Sequence, residues 1–272
     1  MIRIEQEDGW TLIRHQDHAI VAGEFARHWN NRRFGAPEPF EPVRLAVACH
    51  DDSWAEPDSQ PGLYSDGTPS AFSEDLVGTY DAFENIDLPA YLAVRKEATE
   101  AAARQNPYAA IIVSMHTVNL LTEQADLDSL TEEQKPVHAA FIEGQLQRQA
   151  ELAAICKQDP ALEPYADQAH FQRAFEFLQA CDSLSLMCCT AFSKPTALRH
   201  THPDSSGERV EIQVLPQGGG TFRLSPSPFD EPELTVSIPC RFVKGKAFSS
   251  DADLRERYHA AEPSALDCVI TA

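Results

Sequence analysis

The chain is short of positive charge. Its 272 residues include 22 lysines and arginines against 42 aspartates and glutamates, a formal net charge of −20 at pH 7. Proteins that bind nucleic acids need a basic face to neutralise phosphates, so we expect no nucleic-acid partner. The same charge opposes binding to an anionic membrane surface, and we expect no membrane partner.

Several familiar signals are also absent. No apolar run reaches the about 18 residues of a transmembrane helix, and the charged N-terminus MIRIEQEDGW does not resemble a secretory signal. No Cys-x-x-Cys pair indicates a cysteine-rich zinc site. The seven cysteines are an odd number and lie mostly in apolar contexts, which predicts buried reduced thiols in a cytoplasmic protein. Gly218–Gly220 lacks a following Gly-Lys-Ser/Thr, so it predicts a turn.

The hydrophobic content and the helical periodicity of the sequence predict a mainly α fold. Hydrophobic residues make up 43% of the chain, enough for a core. Helical periodicity occurs at about 16–31, 42–50, 83–105, 108–123, 132–157 and 165–192. After Pro195 the segments become short and rich in β-formers. We therefore predict a helical bundle at 1–195, beginning with a β-hairpin at 1–14. A small antiparallel β appendage at 196–272, which that hairpin could join, would pack on the bundle.

Four polar residues fall on the apolar stripes of four separate predicted helices: His18, His50, His116 and Asp182. A buried histidine is ordinary, but a buried carboxylate costs several kcal/mol unless it is paired or bound to a cation. Asp51, next to His50, adds a second such charge. Residue types and spacing leave two readings open: a divalent metal site, or a buried His–Asp hydrogen-bond network without metal.

The stretch LAVACHDDSW sets His50 and Asp51 side by side. Adjacent positions on a helix diverge by about 100°, so both side chains can reach one site only where the helix ends or bends. Asp52 is either a partner that orients a ligand imidazole or an exposed helix terminus. Trp54 is either a wall of the site or part of the core.

These residues resemble a known superfamily. His18, the pair His50–Asp51 and Asp182 follow the H…HD…D order of the HD-domain superfamily, an all-helical fold of metal-dependent phosphohydrolases with some oxygenase relatives. Longer motifs are similar to the bacterial family called domain of unknown function 3891. They are QDHAIVAGEFARHW, HDDSW, YAAIIVSMHTVNLL, CDSLSLMCC and SPFDEPELTV. The resemblance extends over nearly the whole chain.

The resemblance implies an HD-domain-like bundle and a ligand set for a divalent transition metal, Fe, Mn, Zn or Ni. One ion would be held by His18, His50, Asp51 and Asp182. His116 matches the extra histidine of two-metal members. Those members use a further histidine, for which this chain offers His138 and His170, so the count of one or two ions is left open.

The function implied is a metal-dependent hydrolase, foremost a phosphohydrolase acting on a small phosphorylated molecule. The alternatives are a metal-dependent oxygenase and a non-catalytic sensor, and a homo-oligomer is conceivable. The candidate general bases are Asp51, Asp52 and Asp17. The loop at 55–81 is rich in Pro, Gly, Ser and Asp and could cover the site. The candidate substrate contacts are Trp54, Asp58, Tyr64, Phe72 and Arg14.

Overall fold

The computed structural model describes residues 1–79, 81–82 and 87–272. Within them it has eight α-helices: α1 (His15–His28), α2 (Phe40–Cys49), α3 (Ala55–Asp58), α4 (Leu88–Gln105), α5 (Pro107–Leu121), α6 (Gln134–Cys156), α7 (Gln168–Cys189) and α8 (Asp251–Ala260). The predicted start of a helix at about residue 83 lies outside the described residues. None of the described helices is long and apolar enough to cross a membrane.

Most of the strands lie toward the two ends of the chain. They are β1 (Ile2–Gln6), β2 (Gly9–Ile13), β3 (Asp81–Ala82), β4 (Ala125–Asp126), β5 (Thr196–Ala197), β6 (His202–Pro203), β7 (Arg209–Val210), β8 (Gln213–Gly218), β9 (Thr221–Ser225), β10 (Glu233–Lys244) and β11 (Pro263–Thr271). Seven of them form one sheet in the order β1-β2-β10-β11-β9-β8-β5. Its pairs are antiparallel except β9 and β11, which run parallel.

The predicted fold class was wrong: the protein is neither all-α nor a helical bundle with a small antiparallel appendage. A seven-stranded mixed sheet is a principal part of the fold. Its longest strand, β10, alternates buried and exposed residues over most of its length, as a strand with one face on a core does. The N-terminal hairpin belongs to the same sheet, because Leu12 of β2 pairs with Arg241 of β10.

The sheet and the helices share one core. Ile238 of β10 and Phe222 of β9 belong to the same buried cluster as Phe25 of α1 and Leu178 of α7. Helix α1 lies against β10, and α1, α2, α5 and α7 pack on one another. Burial against the helices therefore holds the sheet in place, and the sheet supports the outer side of α1.

Local signals set the ends of the helices that matter for the site. The Asn106 side chain accepts hydrogen bonds from two backbone N–H groups at the start of α5, and Pro107 occupies the first position of that helix. Asp167 caps α7 in the same way. Helix α2 ends at Cys49, so that His50 is its C-cap and Asp51 lies outside the helix.

The cysteines divide into two groups. Five are free and buried, as the sequence predicted for all seven. The other two, Cys188 of α7 and Cys268 of β11, form a disulfide between a helix and the sheet, with their Cα atoms 6.0 Å apart. They are 80 residues apart in sequence, so local composition gave no sign of the pairing.

Candidate metal centre

Four segments bring five ionisable side chains together in the interior. The residues are His18 of α1, His50 and Asp51 at the end of α2, His116 of α5, and Asp182 of α7. All five are buried. We call them the His–Asp cluster. Its members come from elements that pack on one another, so the helix core itself sets their spacing.

The ring nitrogens of the cluster face the carboxylate oxygens. His18 Nε2 lies 3.4 Å from Asp51 Oδ2 and 3.6 Å from Asp182 Oδ1. His50 Nε2 lies 3.4 Å from Asp182 Oδ1 and 3.8 Å from Asp51 Oδ2. His116 Nε2 lies 3.9 Å from Asp182 Oδ2. Two overlapping groups, His18–His50–Asp51 and His50–His116–Asp182, each keep their ligand atoms within 4.8 Å of one another.

Hydrogen bonds from the opposite ring nitrogens indicate the tautomers of two histidines. His50 Nδ1 lies 2.7 Å from the carbonyl oxygen of Val47, which can only accept, so Nδ1 carries the proton. His18 Nδ1 lies 2.6 Å from Ser185 Oγ. The Ser185 hydroxyl donates to the carbonyl of Asp182 at 3.1 Å, so it accepts from His18. In neutral His18 and His50, each Nε2 therefore presents a lone pair to the carboxylates.

Asp51 uses its two oxygens differently. Oδ1 accepts a hydrogen bond of 2.7 Å from Arg95 Nη1 of α4, and both groups are buried. Oδ2 faces His18 and His50. Burial alone would raise the pKa of Asp51, but Arg95 and His50 outweigh it and hold the pKa well below its usual value. Sequence reasoning missed Arg95, although it lies on the buried stripe of α4 with Leu92.

The electric field of the cluster moves other pKa values in opposite directions. Burial lowers the pKa of His50, but Asp51 and Asp182 outweigh that effect and raise it to about 9. Burial alone would raise the pKa of Asp182, but His50 and His116 together hold it well below its usual value. His116 has a pKa lowered to about 3, chiefly by burial. The site therefore favours two ionised carboxylates, and without an ion a protonated His50 would supply positive charge beside them.

The cluster geometry fits a metal ion. Direct hydrogen bonds between N and O are about 2.7–3.2 Å long, whereas the nearest contacts between rings and carboxylates here are 3.4 Å. Two ligands each about 2.1 Å from a tetrahedral ion are separated by about 3.4 Å. Among the described residues, His50 Nε2 is buried and has no hydrogen-bond partner. A shared proton between ring and carboxylate is the alternative source of positive charge.

The other two predicted general bases lie beside the cluster rather than in it. Asp52 accepts a hydrogen bond of 3.3 Å from Gln16, and burial raises its pKa. Asp17 is paired with Arg14 through contacts of 2.7 and 2.8 Å. Asp17 and Arg14 line a separate cleft of about 400 Å³ with Arg241 and other residues, so the structure does not bring them into the metal-ligand groups.

Three further predicted substrate contacts interact with other residues of the protein itself. Trp54 packs against Arg95, whose guanidinium carbon lies 5.4 Å from the indole centroid, so it supports the arginine that holds Asp51. Asp58 is buried and accepts a hydrogen bond from the backbone N–H of His15 at 2.5 Å. Tyr64 is exposed, and Arg3 lies over its ring at 5.2 Å.

The two histidines considered for a second ion lie elsewhere. His138 is buried and bonds the carbonyl of Leu121 through Nε2 at 2.7 Å. His170 pairs with Asp167 at the start of α7. His116 is thus the one extra histidine in the metal-ligand groups of the described residues.

A cleft of about 290 Å³ leads to the cluster. Asp182 is among its lining residues, and with 12% of its side chain exposed it is more accessible than the other four cluster members. Phe72 and residues 76–79, from the predicted covering loop, form one wall.

Comparisons with known proteins identify the family and go no further. No curated protein and no solved structure matches the chain. The match to a single family extends over residues 1–245, which is most of the chain. The chain belongs to the family described as "Protein of unknown function (DUF3891)".

Proposed function

We propose that the protein is a metal-dependent hydrolase, and specifically a phosphohydrolase of small phosphorylated molecules. One observation carries the proposal: two buried imidazoles, held through Nδ1, turn their Nε2 atoms toward two buried carboxylates. Lone pairs facing anions in a protein interior require a cation or protons between them. A divalent ion meets this requirement at the separations observed.

In the proposed site, His18, His50, Asp51 and Asp182 hold the ion, with His116 as a further ligand. Imidazole and carboxylate ligands suit Fe, Mn, Zn or Ni. A bound ion would supply Lewis acidity, which polarises a phosphoryl oxygen and makes a water more acidic. The HD-domain resemblance predicts the same four ligands, and it remains a prediction.

The hydrolysis consumes one water. Its oxygen forms a bond to phosphorus, the bond from phosphorus to the ester oxygen breaks, and a proton of the water passes to the leaving alcohol. Asp51 is the predicted general base that lies in the cluster. Arg95 keeps Asp51 ionised and fixes its Oδ1, so Oδ2 is the oxygen available to ion and proton.

The two other candidate functions stay predictions from sequence. A two-iron oxygenase needs ligands for a second ion, and His138 and His170 bond elsewhere. A non-catalytic sensor needs the ion but no reaction. Metal identity and stoichiometry, measured together with turnover, separate these functions from a hydrolase.

The first experiment measures metal content by mass spectrometry in protein purified without added metal or a nickel column. We expect about one equivalent of transition metal in the wild type, and its loss in Asp182→Asn. Each preparation is then assayed with phenyl phosphate after incubation with Fe²⁺, Mn²⁺, Zn²⁺ or Ni²⁺. Hydrolysis should require both the metal and Asp182.

The matched control is His170→Ala, which removes a partly exposed histidine from the same helix as Asp182. It should retain metal and activity. A wild type that binds none of the four ions would contradict the proposal and favour the protonated His–Asp network. Metal binding without hydrolysis of any phosphoester tested would favour the sensor.

A further inference from the structure

The cleft that leads to Asp182 has an apolar lining. Loop residues, α5, α7 and the chain beyond α7 contribute these apolar side chains: Phe72, Leu76, Val77, Leu120, Leu186, Met187 and Phe192. At about 290 Å³ the cleft is just below the usual range for ligand pockets, about 300–1,000 Å³. It therefore suits a small molecule with an apolar body.

Most of the neutral polar side chains in the cleft donate their hydrogen bonds to the protein itself. Thr79 donates to the carbonyl of Leu76, and Ser183 to that of Ala180. Gln124 donates to the side chain of Asn119. A ligand rich in hydroxyl groups would lose its bonds to water in this cleft and gain few in return.

Arg199 is the exception. It is half-buried, and among the described residues that line the cleft it is the only cation. Its guanidinium forms no hydrogen bond or ion pair with the described part of the chain, in a protein with a net charge of −20. An arginine left unpaired among so many carboxylates is available for an anion from outside.

The backbone around Arg199 is held in place. The N–H of Leu198 donates to the carbonyl of Ile212 at 2.8 Å, and His202 Nε2 contacts the carbonyl of Arg199 at 3.0 Å. The next residue, His200, has a φ of 64°, a conformation that is unfavourable for a residue with a side chain. The fold thus maintains a strained backbone conformation at the residue that follows Arg199.

We propose that this cleft binds phosphate esters of small apolar alcohols or phenols, with Arg199 on the phosphate oxygens and the apolar wall on the leaving group. The inference rests on the proposed function, because that function places the phosphate ester next to Asp182. It goes further by excluding sugar phosphates and nucleotides as preferred substrates. Arg199 acts here as a substrate-binding residue.

The test measures binding without turnover. Benzylphosphonate, which cannot be hydrolysed as an ester, is titrated by calorimetry into metal-loaded protein, alongside methylphosphonate and ribose 5-phosphate. We expect benzylphosphonate to bind at least about tenfold more tightly than the other two, because only it fills the apolar wall. Arg199→Ala should weaken it by about tenfold or more, and Arg199→Lys by less.

Two further variants sharpen the result. Arg223→Ala removes another arginine that has no ion pair with the described residues, exposed on β9 and outside the cleft, and should bind benzylphosphonate like the wild type. Leu186→Gln, at a half-buried position of the wall, should weaken benzylphosphonate but leave methylphosphonate unchanged. Circular dichroism and thermal unfolding confirm that each variant is folded.

The inference and the proposed function fail separately. Benzylphosphonate binding that depends on Arg199 supports the inference even if no phosphoester is hydrolysed. Binding that is equal in wild type and Arg199→Ala overturns it, as does no binding in the wild type. If Arg199→Ala hydrolyses phenyl phosphate as fast as the wild type, the inference is also overturned, while the proposed function stands.

Discussion

At the scale of single residues, the most informative side chain is one that the sequence did not point to. Arg95 neutralises one oxygen of Asp51 and leaves the other facing the rings of His18 and His50. Trp54 and Tyr91 lie against the guanidinium at 5.4 and 5.2 Å from their centroids. These contacts fix the orientation of the Asp51 carboxylate. Because Asp51 lies outside the helix, its side chain would not keep that orientation without them.

Replacing Arg95 by Met should destabilise the protein by about 3 kcal/mol, because it leaves Asp51 buried without its ion-pair partner. Asp51→Asn should also destabilise, but the double variant should lose clearly less than the sum of the two single losses. Urea unfolding in the presence of a chelator measures all three. Additive losses would show that Arg95 and Asp51 stabilise the fold independently, against the contact seen here.

At the scale of elements, helices were more predictable than the sheet. The predicted helix at 108–123 corresponds to α5, and that at 165–192 contains α7, because periodicity and caps such as Asn106 are local signals. The cluster residues were selected for the same local reason. The sequence left open whether the N-terminal hairpin joins the sheet, because the pairing of β2 with β10 joins opposite ends of the chain. Arg95 and Arg199 were missed because their importance depends on distant neighbours.

If the sheet shares the core with the helices, a cavity in β10 should destabilise the whole protein. Ile238 is 1% exposed within that core, so Ile238→Ala should cost about 3 kcal/mol of unfolding free energy. The neighbouring Ser237 is exposed on the opposite face of the strand, and Ser237→Ala should change stability by less than about 0.5 kcal/mol. A small loss for Ile238→Ala in urea unfolding would favour a sheet that is only loosely attached.

At the scale of the whole molecule, the His–Asp cluster is also a point where the fold is tied together. Its ligands come from α1, the end of α2, α5 and α7, which also meet through apolar contacts in the core. An ion there would link four segments at once, and its binding free energy would add to the free energy of unfolding. Chemistry and stability would then depend on the same five side chains.

Removing the metal should therefore lower the melting temperature. An ion present at about 100 times its dissociation constant stabilises the native state by about 2.7 kcal/mol, which corresponds to a shift of about 5 °C or more for a chain of this size. We expect EDTA to lower the midpoint of wild type in thermal scans and to leave Asp182→Asn unchanged, while excess Mn²⁺ or Zn²⁺ restores only the wild type. His170→Ala, which keeps all five cluster residues, should respond like the wild type. Equal melting temperatures with and without chelator, in protein shown to be loaded beforehand and emptied by the chelator, would mean that the ion does not stabilise the fold through the His–Asp cluster.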